Sequence, residues 1–377
     1  ALDKDRTRRY ETANGLGADL NRYLSGAPIE ARPPSTLYRF TKFARRNRVA
    51  LTTATIVAGA LILGTVVSVW QAGVAYDAMQ QARQAESDAN ASRDELEKFT
   101  DRLKEANGLL TSGRAFLDSG SVSDAYAAYT QATEVQPKYF HVWLERGALF
   151  TRIGLWQRAA EDYRKAMELG CAVDGAEFLG VPQLFNYVGD KATRQQIAEE
   201  LLKSERAKIE TKLRGLLVGE LTDEVAAELA KESEQLVESG AHGSHKMSWM
   251  PRGAKMYVAG WAHLKAGQFG RAIERLEEAH DDRWPGNGIQ YPLLAMAYQR
   301  AGRSEDAKST FIMSQELLDR LLENSLNQSR GAAPIPWFDW IEFLANHREA
   351  TALVTGEEPR DDPRLSEAHE LAQAAIR

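Results

Sequence analysis

The chain has 377 residues, 44% apolar and 27% charged, which suits two or three folded units and excludes a disordered chain. A single cysteine, Cys171, excludes an intrachain disulfide and a multi-cysteine zinc site. The net charge of -6 hides an asymmetry: residues 1–48 carry a net +6, residues 49–70 none, and residues 71–377 a net -12.

In residues 1–32, Thr12 is placed to cap a helix in which Ala13, Leu16, Leu20 and Leu24 repeat at helical spacing. Gly26 and Pro28 end it. The segment is too short to fold alone, and its apolar stripe needs a partner. Residues 33–48 form a basic linker with Arg39, Lys42, Arg45, Arg46 and Arg48 and no acid after Glu30. The chain opens on Ala1 rather than Met, which raises the expectation of a piece of a longer product.

Residues 49–70, VALTTATIVAGALILGTVVSVW, contain no Asp, Glu, Lys, Arg, His, Asn, Gln or Pro. As a helix they reach ~33 Å, against ~30 Å of bilayer hydrocarbon. A buried core helix would normally carry a polar stripe, which is missing here. The expectation is one membrane-spanning helix, flanked by Arg45, Arg46 and Arg48 before it and by Trp70 at its end. The bases put the N-terminal side in the cytoplasm and can also grip anionic headgroups.

Residues 71–107 are expected to form a helical stalk. Ala78, Ala82, Ala85, Ala89, Ser92, Leu96, Phe99, Leu103, Ala106 and Leu110 alternate steps of four and three, a heptad seam. It suits a parallel homodimer or one solvated helix leading into the next domain.

Self-similarity follows. Gly113, Phe116, Gly120, Ala125, Tyr129 and Ala132 recur 34 residues later as Gly147, Phe150, Gly154, Ala159, Tyr163 and Ala166, with Pro137 between the sets. This resembles the tetratricopeptide repeat. A second pair, Gly260, Gly267, Ala272, Leu276 and Ala279 against Ala295, Gly302, Ala307, Phe311 and Ser314, has an offset of 35. Small residues let helices approach, and the turn glycines supply left-handed backbone. The expected fold is all-α: a transmembrane helix, a helical stalk, then a tetratricopeptide-like α-solenoid. Its parts are two repeats in 106–173, degenerate helical repeats in 174–249, two repeats in 250–321 and a helical cap in 322–377. In this repeat pattern a groove forms from outward positions of each first helix. Here these include Asn107, Arg114, His141, Glu145, Arg152, Tyr257, Trp261, Lys265, Gln299 and Arg300, a set suited to a protein or peptide partner.

Residues 1–32 resemble the end of a bacterial Hanks-type serine/threonine protein kinase domain. The carrying strings are Ala1-Leu-Asp-Lys-Asp-Arg-Thr-Arg-Arg-Tyr10, Glu11-Thr-Ala-Asn14 and Asp19-Leu-Asn-Arg-Tyr-Leu24. The basic linker, single span and repeats are similar to planctomycete-type receptor kinases, whose closing segment resembles Trp337, Trp340 and Arg348-Glu349-Ala350. The resemblance implies that Asp5 and Arg9 belong to the motif closing the kinase lobe, with Arg6 where proline is usual. It implies a full-length parent that uses ATP and Mg to phosphorylate Ser/Thr, set in a bacterial inner membrane with the repeats outside. The chain itself carries no glycine-rich phosphate loop, catalytic loop or Asp-Phe-Gly, so no catalytic residue and no cofactor is expected in it. The alternative is a non-enzymatic membrane adaptor or scaffold. His242 and His245 lack further ligands for a metal, and Asn327-Gln-Ser329 fits a glycosylation sequon, which carries little meaning in a bacterial protein. The one basic cluster hugs the apolar stretch, so no nucleic-acid partner is expected.

Overall fold

The computed structural model describes residues 10–30, 35–238, 250–282, 284–327 and 333–377. Asp5, Arg9, His242 and His245 lie outside the described residues, as does Ser329 of the sequon. The described residues form sixteen α-helices and no strand. The contacts divide the chain into two units, 1–96 and 97–377.

The first unit opens with α1 (Ala13–Leu24), where Thr12 Oγ1 accepts from Gly15 N at 3.1 Å. Asp19, 2% exposed, holds the segment in a loop. It accepts from Tyr10 Oη at 3.0 Å, from Glu30 N at 2.8 Å and from Arg22 at 3.1 Å. Leu16, Leu20 and Leu24 remain exposed. Next come α2 (Thr36–Arg46) and α3 (Arg48–Asp118), which carries the uncharged stretch, the stalk and the first repeat helix without a break. Within the apolar part, Thr52, Thr55 and Thr65 turn their hydroxyls back onto carbonyls four residues earlier at 2.8–2.9 Å. None of its most apolar window is buried against protein, which sets it apart from the core helix of a soluble fold.

The second unit is an α-solenoid of paired helices sharing one apolar core from Ala106 to Ile376. The end of α3 pairs with α4 (Val122–Val135), and α5 (Phe140–Arg152) with α6 (Trp156–Glu168). A degenerate middle follows: α7 (Val181–Tyr187), α8 (Lys191–Lys203), α9 (Ile209–Leu217) and α10 (Asp223–Glu238). Then α11 (Arg252–Lys265) pairs with α12 (Phe269–Asp281), and α13 (Tyr291–Arg300) with α14 (Ser304–Asn327). Glu234 ties the middle to the later repeats, taking His263 Nε2 at 2.7 Å and Arg275 Nη2 at 2.6 Å.

The last two helices are α15 (Trp337–Thr355) and α16 (Pro363–Ala374). The segment expected to cap the stack does more than close its end. Helix α15 packs on α7 as well as on α13 and α14, and Gly180 comes so close to it that a Cβ would lie 2.3 Å from Phe338 Cβ.

Candidate partner-binding surface

The repeat-defining residues do two jobs. Gly120, Gly154, Gly267 and Gly302 all have positive φ, between 71° and 85°. Each sits in the same turn, in which the following amide reaches back across the helix end: Ser121 N to Phe116 O, Leu155 N to Phe150 O, Gln268 N to His263 O and Arg303 N to Tyr298 O, at 2.8–2.9 Å. Gly189, with φ 80°, makes the same closure between α7 and α8 through Asp190 N and Phe185 O at 2.9 Å. One glycine turn thus recurs in the middle segment where the side-chain pattern has decayed.

The other small residues admit neighbouring helices. Ala125, Ala132, Ala159, Ala166, Ala272 and Ala307 are all fully buried. A Cβ on Gly113 would lie 2.4 Å from the Tyr129 ring, and one on Gly260 2.5 Å from Leu276. Gly147 is less confined, with its nearest neighbours, on Asp162 and Tyr163, at 3.4 Å. Pro137 sits in the turn between repeats, where its carbonyl accepts from Trp143 Nε1 at 2.9 Å. Arg146 joins successive repeats, bonding Asp162 twice at 2.8 Å and Thr133 at 3.2 Å. Burial raises the Asp162 carboxyl above its ordinary range despite Arg146.

The expected outward residues divide into two sets. Asn107, Arg114 and Arg152 are exposed, and Arg114 bonds Glu145 across to α5. In the later repeats, Lys265 is half-buried and Arg300 exposed. Tyr257 and Trp261 are not outward, contrary to expectation: they are 1% and 2% exposed. Helix α11 is packed by α9, α10, α12 and α13, and Tyr257 is further held by Glu342 of α15.

Two of the recesses that border α15 contain Trp261 and Lys265. The larger of this pair, about 290 Å³, brings Trp261, Lys265 and Arg300 together with Asp223, Glu349 and Leu353. The smaller, about 60 Å³, is lined by Gln183, Trp261, Lys265, Glu342, Asn346 and Glu349 among others. Gln183 Oε1, Trp261 Nε1 and Asn346 Nδ2 are buried there without a hydrogen-bond partner among the described residues, an uncommon density of unsatisfied groups.

Beneath the recesses lies a buried charge network that the sequence reading missed. Arg214 reaches Asp339 at 2.7 Å and Glu342 at 2.9 Å. Glu342 accepts from Tyr257 Oη at 2.6 Å and from Gln183 Nε2 at 2.9 Å. Burial works to lower the Arg214 pKa, but Glu342 and Asp339 outweigh it and hold the guanidinium charged. Burial raises Glu342 in turn. The available signal was a lone arginine inside Leu213-Arg-Gly-Leu-Leu217 and two acids three apart inside Trp337-Phe-Asp-Trp-Ile-Glu-Phe343. Charges inside apolar runs need partners.

His347 is a buried packing residue that stacks on Phe311 and meets Ser314 Oγ at 2.8 Å. Cys171 makes no site either, for burial pushes its thiol up to about 11, away from reactivity. Among the described residues no cluster of three His, Cys, Asp or Glu could hold a metal.

Residues 110–170 match the tetratricopeptide repeat family. No curated protein matches the chain. Among solved structures, it is similar to the crystal structure of the APC/C hetero-tetramer Cut9-Hcn1, at 14% identity and a TM-score of 0.40. That likeness covers 72% of this chain and 43% of the other, so this chain spans less than half of that one's length. It is also similar to a tetratricopeptide repeat protein from Parabacteroides merdae ATCC 43184, at 13% identity and a TM-score of 0.41, covering 72% of this chain and 99% of that one.

Proposed function

We propose that this chain is a membrane-anchored, protein-binding repeat module. The observation that carries the reading is the tetratricopeptide match over 110–170, set within a longer array of paired helices. Tetratricopeptide arrays bury one continuous core and keep long helical faces for partners. On these faces Asn107, Arg114 and Arg152 are open in the early repeats, and Trp261, Lys265 and Arg300 meet at one recess in the later ones. The uncharged stretch 49–70 would supply the anchor, with Arg45, Arg46 and Arg48 on the cytoplasmic side and Trp70 at the other interface.

Two parents fit this module. In one it is the anchoring and sensing part of a receptor-type serine/threonine kinase in a bacterial inner membrane, whose full form would transfer the ATP γ-phosphoryl group with Mg. That reading rests on the resemblance of residues 1–32 and on the order of linker, span and repeats. In the other it is an adaptor or scaffold without catalysis, which the repeats and the apolar helix support equally. Sequencing the coding DNA upstream of the Ala1 codon separates them: an in-frame catalytic loop and Asp-Phe-Gly favours the kinase, a start codon with neither the adaptor. For the module itself, the test is copurification of a protein partner from solubilised membranes. Lys265→Glu with Arg300→Glu is expected to lose that partner, and its undiminished recovery on the doubly substituted chain would count against the later recess.

A further inference from the structure

Helix α2 has two unlike faces. At helical spacing, Leu37, Phe40, Phe43 and Ala44 fall on one side, and Arg39, Lys42, Arg45 and Arg46 on the other. The chain does not cover the apolar side. Leu37, Phe40 and Phe43 are 77%, 64% and 51% exposed, and no residue of α2 is buried. Three large apolar side chains left open on eleven residues mark a contact surface.

Its position says what covers it. Only Asn47 separates α2 from α3, and helical hydrogen bonds run through the junction, Asn47 N to Phe43 O at 2.9 Å and Leu51 N to Asn47 O at 3.0 Å. The uncharged stretch begins at Val49. If that stretch fills the hydrocarbon, as the membrane-anchored reading on which this inference rests requires, α2 starts at its edge. The charges choose among occupants. Lys42 Nζ lies 5.2 Å over the Tyr23 ring, while Arg39, Arg45 and Arg46 meet no carboxylate among the described residues. A second copy of a helix with four bases and no acid would be repelled, whereas an anionic leaflet would attract it.

We propose that α2 lies in the headgroup layer of the adjoining leaflet, with Leu37, Phe40 and Phe43 among the acyl chains and its arginines on anionic lipid headgroups. This makes the segment a lipid-reading contact rather than a passive linker.

The test uses the whole chain with its one cysteine removed (Cys171→Ser). An environment-sensitive dye is attached through Phe40→Cys, Arg39→Cys or Leu61→Cys. Each protein is placed in vesicles of phosphatidylcholine alone, or of phosphatidylcholine with phosphatidylglycerol, containing lipids brominated on the acyl chain. Quenching at position 40 is expected to be several-fold stronger than at position 39, and stronger in the anionic vesicles. Replacing Arg39, Arg45 and Arg46 by Gln is expected to bring position 40 down to the neutral-vesicle level. Equal quenching at 39 and 40 overturns the proposal, as does quenching at 40 indifferent to lipid charge. An unquenched position 61 overturns the membrane span itself, and the proposal with it.

Discussion

Three glycines at repeat positions face different constraints and should respond differently to the same substitution. Gly113→Ala drives a methyl into the buried Tyr129 ring, where a Cβ would lie at 2.4 Å, and should cost ~1–3 kcal/mol. Gly154→Ala forces a side chain onto a φ of 78° and should cost ~1–2 kcal/mol. Gly147→Ala meets ordinary contacts at 3.4 Å in mid-helix, so the gain in helix propensity makes it neutral or stabilising by up to ~1 kcal/mol. Denaturant unfolding of the three variants checks the order. His347 gives a pH signature. Burial lowers its pKa from 6.5 to about 4, so the unfolded chain binds this proton first. Its contribution is complete above pH 6.5 and falls as pH drops towards 4, by up to about 3 kcal/mol. Unfolding midpoints measured across that window should show the fall, and His347→Phe should flatten it.

At the scale of elements, α15 owes its place to Arg214. Arg214→Met strands Asp339 and Glu342 in the interior and should destabilise the second unit by ~3–5 kcal/mol. Adding Asp339→Asn and Glu342→Gln should recover much of that loss, since the buried charges go together. Calorimetry of the single and triple variants would read both effects. The stalk makes a separate prediction. Leu96 and Phe99 of the heptad seam are 64% and 46% exposed on the single chain, whereas Ala106 and Leu110 are already taken into the repeat core. If the seam pairs two chains, light scattering in detergent should give the mass of a dimer, reduced to a monomer by Leu96→Asp with Phe99→Asp. These elements also mark the limit of what sequence periodicity discloses. The 34-residue period and its turn glycines were legible because each repeat solves the same local packing problem. The return of α15 onto α7 and α9 was not, because its polar ties, Gln183 and Arg214 to Glu342 and Asp339, join residues far apart along the chain, none of which repeats. The burial of Trp261 was hidden for a related reason: helices outside its own repeat, α9 and α10, also pack on α11.

For the molecule as a whole, the charge asymmetry found at the start now has places in the fold. The basic linker contains α2, and the uncharged stretch opens a helix continuous with the first repeat. The acidic remainder makes up the stalk part of that helix and the paired-helix array. The central claim is that this array holds a protein partner on its first-helix faces. The most direct measurement places a photo-crosslinking amino acid at position 300, beside the later recess, and separately at position 308, an exposed site on α14 away from it. Illumination of intact membranes should give a discrete protein adduct from position 300 and none from 308. No adduct from 300, or the same products from both positions, would contradict the account.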